Sequence, residues 1–187
     1  MARENWETLH NSGETSATTV GTPVTNTTER TILTPGGIAA PVLLSGILVP
    51  GSIIRLTAAG IFSTTATPAI TFSLVWGGSE EVLATTAAIT VGTAAAERTW
   101  NAELILRLLT TGSEGKVLVR GRLHGIEALS GATSSAATTM FPEKATSTGV
   151  AMATNAAEPY LVLAVKWGTA SALDSIVCDL WTVETMN

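Results

Sequence analysis

Cysteine is almost missing from the sequence. Cys178 stands alone, so no disulfide can form within the chain, and a structural zinc site, which needs several thiolates or imidazoles, is not expected. Charge is also scarce. Lysine, arginine, aspartate and glutamate together make up 13% of the residues, about half the usual share. The net charge is −5 and the ten basic residues form no run, so the chain as a whole offers no electrostatic footprint for nucleic acid. Aspartate occurs only as Asp174 and Asp179, and histidine only as His10 and His124. No P-loop, dinucleotide fingerprint, nucleophile elbow or paired-cysteine motif is present, so neither a cofactor nor an enzymatic activity is expected. Long apolar runs are lacking as well. Pro41 to Pro50 is about ten residues, too short to span a bilayer. The opening MARENWETLH has no apolar core of a signal peptide. Synthesis in the cytoplasm without secretion, and no membrane partner, are the expectations.

What is present favours strands. Hydrophobic residues make up 45% of the 187 positions, enough for a real core in one domain. Alanine and threonine together fill close to a third. Threonine suits strands and exposed sheet faces. A surface rich in hydroxyls and poor in charge repels neighbours weakly, which favours a packed assembly; compositional bias of the source genome gives the same composition.

The stretch Thr99 to Gly125 organises the reading. Trp100, Ala102, Leu104, Leu106 and Leu108 recur at every second position, with Asn101, Glu103, Ile105 and Arg107 between them. That is a strand with one apolar and one wet face. TTGSEG supplies turn residues, with glycines at Gly112 and Gly115. Val117, Val119 and Leu123 then oppose Lys116, Arg120, Arg122 and His124. Two such strands joined by a glycine-bearing loop predict an antiparallel hairpin. A lone hairpin is marginal in water, so more sheet must cover its apolar face.

Further strands are predicted at Pro41–Pro50, Ser52–Ser63, Pro68–Gly78, Pro159–Gly168 and Ile176–Met186, with a weaker one over Glu81–Gly92. Ile176–Met186 carries apolar groups at both parities, which fits a central or partnered strand; Cys178 within it reads as a small buried hydrophobe. Residues 126–158 are rich in serine, alanine and threonine and read as a long crossing loop. Residues 1–36 hold few large apolar side chains and read as an extended N-terminal arm. With about eight strands and no amphipathic helix, the fold class is all-β: an antiparallel β-sandwich over residues 37–187, with the jelly roll as its expected form.

The basic residues of the strands fit a solvated sheet face or a neighbour's acidic groups. Asp174 reads as loop solvation. Asp179 reads as a rim residue or a partner for Arg120, Arg122 or Lys166. Trp76, Trp100 and Trp167 fall in strand patterns and are predicted to be core. A glycan platform would instead display aromatic side chains.

PGSIIRLTAAGIFSTTATPAITFSLVWGG at Pro50 to Gly78 and TWNAELILRLLTTGSEGKVLVRG at Thr99 to Gly121 resemble segments of phage and prophage virion structural proteins. The matching positions are Gly60, Phe62, Pro68, Phe72, Trp100, Arg107, Gly112 and Gly115. In size, β content and low charge the chain is similar to head-decoration, or capsid cement, proteins. That resemblance implies a non-enzymatic bacteriophage virion protein on the outer surface of the capsid, homotrimeric, with the major capsid protein as partner. The arm would be its tether, contacting capsid or neighbouring subunit through Trp6, assisted by Leu9, with Arg3 fixing register. The alternative is a tail- or fibre-associated module that binds host-surface glycan.

Overall fold

The computed structural model describes residues 6–11, 23–25, 27–33, 49–76, 81–92, 96–110, 116–126, 138–145 and 161–186. Among them every regular element is a strand: β1 (Trp6–Asn11), β2 (Val24–Thr25), β3 (Thr31–Ile32), β4 (Ile53–Ser63), β5 (Ala69–Trp76), β6 (Glu81–Thr85), β7 (Ile89–Thr90), β8 (Arg98–Thr110), β9 (Lys116–His124), β10 (Thr138–Ala145), β11 (Leu161–Trp167) and β12 (Ser175–Met186). They form two antiparallel sheets. The larger runs β1-β12-β4-β8-β9-β10, with β2 also pairing with β12; the smaller runs β3-β11-β5-β6, with β7 also on β5.

The alternating pattern decides the larger sheet. Every second residue of β4 from Ile54 to Phe62 is buried, and so is every second residue of β8 from Trp100 to Leu108. Leu56 pairs with Leu104, and Leu104 with Gly121, so the apolar faces of the three strands line up. The predicted hairpin is present: Asn101 faces His124 at one end and Thr110 faces Lys116 at the other. Gly125 ends β9 with φ +88, and a Cβ there would run into the Thr99 carbonyl, so only glycine fits the turn. In the smaller sheet, β11 buries five consecutive residues, Leu161 to Val165. Successive strand residues point to opposite faces, so this strand is covered on both sides. One apolar cluster joins the two sheets through Phe72, Leu74, Trp100, Leu104, Leu163 and Trp167.

The antiparallel all-β class is as the sequence predicts. The pairings do not define a jelly roll, because β8, β9 and β10 follow one another as a meander within a single sheet. An extended N-terminal arm over 1–36 is not confirmed: the described strands of that segment, β1, β2 and β3, pair with strands of the two sheets. The reason is local. Leu33 is fully buried, its N–H bonding the Leu163 carbonyl at 2.9 Å, and the Trp167 indole donates to the Val24 carbonyl at 3.1 Å. Two isolated aliphatics and a few backbone groups hold the segment where its mean composition gives no signal.

Two more departures have physical causes. Residues 126–158 contain β10, whose Pro142 falls at a register shift between Phe141 and Lys144, a position where a missing N–H is tolerated. In β12 the register shifts between Cys178 and Leu180. Ile176 and Cys178 are buried before the shift, and Trp181 and Val183 after it. The extra residue, Asp179, reverses the parity, which accounts for the change from Ile176 and Cys178 to Trp181 and Val183; Val177, at the other parity before the shift, is buried as well. Most of the apolar run Pro41–Pro50 lies outside the described residues; Val49 and Pro50 are exposed and precede the turn at Gly51.

Candidate binding face

The solvent face of the larger sheet is built by the residues left over from burial. Where Ile54, Leu56 and Ala58 go inward on β4, Ile53, Arg55 and Thr57 go outward; β8 likewise presents Glu103, Ile105 and Arg107, and β9 presents Leu118, Arg120 and Arg122. Register places Thr57, Glu103 and Arg122 in one row, and Arg55, Ile105 and Arg120 in the next.

A ladder of charge crosses four strands here. Arg55 Nη2 lies 2.7 Å from Glu103 Oε1, and Arg122 Nη2 lies 3.0 Å from Glu103 Oε2. Arg55 Nη1 is 4.0 Å from Glu184 Oε2 on β12. Both Glu103 oxygens are engaged, by guanidinium groups from either side. The hydrogen bond from Arg122, together with the charge and hydrogen bond of Arg55, holds the Glu103 carboxyl below the usual glutamate range, against an opposing effect of burial. Side chains tied this way keep fixed positions on a rigid sheet while still facing water.

Ile105 and Leu109 on β8 remain 42% and 40% exposed. Leu109 falls where the β8–β9 register shifts between Leu108 and Thr110.

The residues singled out from the sequence are not brought together. Trp6 lies on β1 opposite Met186, and Leu9 lies at the register shift between Thr8 and His10; Arg3 is outside the described residues. His10 and His124 sit on strands near opposite edges of the larger sheet. Cys178 is buried, and desolvation, reinforced by the Asp179 charge, pushes its thiol up to about 12, so thiolate chemistry is suppressed. Asp174 is not a solvated loop residue: it is buried, and its Oδ1 accepts the Thr65 N–H at 3.0 Å. Asp179 sits in the bulge, one oxygen buried without a partner among the described residues, and makes none of the ion pairs envisaged for it. Trp76, Trp100, Trp167 and Trp181 are all buried. Among the described residues no three of His, Cys, Asp and Glu lie close enough to hold a metal ion.

The ladder is what sequence reasoning missed. Arg55, Glu103, Arg122 and Glu184 each read as ordinary outward positions; only cross-strand register shows that they meet.

No family model matches the chain, and no curated protein matches it. A solved structure, the CBM2 module of the evolved Dit of Lactobacillus casei BL23 phage J-1, is similar over 100% of this chain and 98% of its own, at 10% identity and a TM-score of 0.36. Likeness at that level assigns neither a fold family nor a ligand.

Proposed function

We propose that the chain is a non-enzymatic phage virion protein, a tail- or fibre-associated β-module that binds a host-surface glycan on the solvent face of its larger sheet. The observation that carries the reading is the Glu184–Arg55–Glu103–Arg122 ladder. It holds donors and acceptors in fixed places on a broad, exposed surface, and saccharide hydroxyls are recognised by such groups. The resemblance of Pro50–Gly78 and Thr99–Gly121 to phage structural proteins supplies the virion setting. The four tryptophans whose side chains are described, Trp76, Trp100, Trp167 and Trp181, are buried, so the described part of this face offers hydrogen bonds and aliphatic contacts.

A glycan array probed with the full chain tests it. Saturable binding to a defined saccharide class, weakened about tenfold by Glu103→Gln with the fold retained by circular dichroism, is the expected result. Failure to bind any saccharide overturns it.

A second reading, a homotrimeric decoration protein on the major capsid protein, draws on the low charge and on the resemblance to cement proteins. Its tether was to be residues 1–36, whose described strands pair within their own chain. Gold labelling of intact particles separates the readings: label on the tail supports the first, label over the head the second.

A further inference from the structure

Among the described residues, the charge on the larger sheet's solvent face runs against that of the chain. Its described side chains include Arg55, Arg107, Lys116, Arg120 and Arg122, set against the carboxylates of Glu103 and Glu184, in a chain of net charge −5. Both carboxylates belong to the ladder, where they offset Arg55 and Arg122. Beyond it stand Arg107 and Lys116, both exposed, with the exposed Arg120 between the ladder and Lys116 on β9.

These cations are arranged along a line. Lys116, Arg120 and Arg122 share one face of β9, and Arg107 stands beside them on β8, opposite Leu118. Alternate residues of a strand recur at about 6.6–6.8 Å and adjacent strands at about 4.8 Å, so the stripe is long and narrow. Leu118 interrupts it, and Ile105 and Leu109 flank it with exposed aliphatic surface. A guanidinium fork matches a carboxylate in two-point geometry, and aliphatic side chains between the cations can cover the C–H faces of pyranose rings.

We infer that this stripe binds an acidic polysaccharide, a linear glycan whose carboxylates recur along its length. The inference rests on the glycan reading above and narrows it to one substrate class. A linear polyanion fits the narrow stripe of recurring cations better than the broad, mixed surface of a globular acidic protein does.

The test uses the full chain with three probes: polygalacturonate, neutral dextran and single-stranded oligothymidylate, by titration calorimetry at low and raised salt. Polygalacturonate is expected to bind, dextran at least about tenfold more weakly. Added salt should weaken the polygalacturonate complex, as screening requires. Arg107→Glu and Lys116→Glu lie at exposed positions outside the ladder, and each should lower affinity for polygalacturonate by about tenfold; an unchanged melting temperature confirms that the fold persists. Dextran binding as tightly as polygalacturonate overturns this inference and leaves the glycan reading standing. Oligothymidylate binding as tightly as polygalacturonate also overturns it, because the stripe would then read charge alone. Binding to neither polysaccharide here, and to nothing on the glycan array, removes both.

Discussion

Trp167 donates its indole N–H to the Val24 carbonyl at 3.1 Å, and Trp100 donates to the Val177 carbonyl at 3.0 Å. Trp76 is similarly buried, yet its N–H meets no acceptor among the described residues. A buried acceptor that loses its donor costs about 1–3 kcal/mol, whereas removing an unsatisfied donor costs nothing on that account. Trp167→Phe and Trp76→Phe delete the same atoms, so cavity effects are comparable. Urea denaturation should therefore show Trp167→Phe as the less stable variant by about 1–3 kcal/mol. Equal midpoints would show that the Trp76 N–H is satisfied. Gly60 illustrates a different constraint at this scale. It sits between Trp100 and Cys178, and a Cβ there would run into the Val177 carbonyl, the group that receives the Trp100 indole.

At the scale of the strand, the β8–β9 hairpin separates buried from exposed leucines within one segment. Leu104 is fully buried, while Leu109 falls at the register shift and faces water. Leu104→Ala should cost roughly 2–5 kcal/mol, and Leu109→Ala should stay within about ±0.5 kcal/mol, both read from chemical denaturation. That contrast marks how far the sequence is legible. Strict alternation in β4, β8 and β9 reveals strands, their faces and their buried residues, because one side of each meets the core and the other meets water. Where the period breaks, the reading loses its footing. The bulge at Asp179 swaps the inward parity of β12 partway along. The stretch Glu81–Gly92 divides into β6 and the two-residue β7. The two-residue strands β2 and β3 are too short to show any period, and β10 contains a proline. The binding face is hidden for a related reason: alternation says that Arg55, Glu103, Arg122 and Glu184 point outward, but contacts across strands depend on register, which a single strand does not encode.

For the molecule as a whole, the N-terminal segment contributes to stability through its later part. Val24 and Leu33 are buried, and the backbone N–H of Trp167 donates to the Thr27 carbonyl at 3.1 Å. Removing residues 1–22 takes away β1, an edge strand; removing residues 1–33 also takes away these contacts. The longer deletion should lose on the order of 3 kcal/mol or more beyond the shorter one, since each fully buried aliphatic side chain contributes about 1.5–3 kcal/mol; thermal and urea melts of the two truncations measure it. Equal stability would show that residues 23–33 are dispensable. The placement of β12 carries a consequence for biosynthesis. It is the neighbour of β4 on one side and of β1 and β2 on the other, yet it comes from the opposite end of the sequence. As the nascent chain leaves the ribosome, β4 can pair with β8 while its other edge stays open, and the N-terminal strands wait without a template. The larger sheet closes only after β12 emerges, so the interval before then is when the chain is most exposed to pairing with its neighbours on the same polysome.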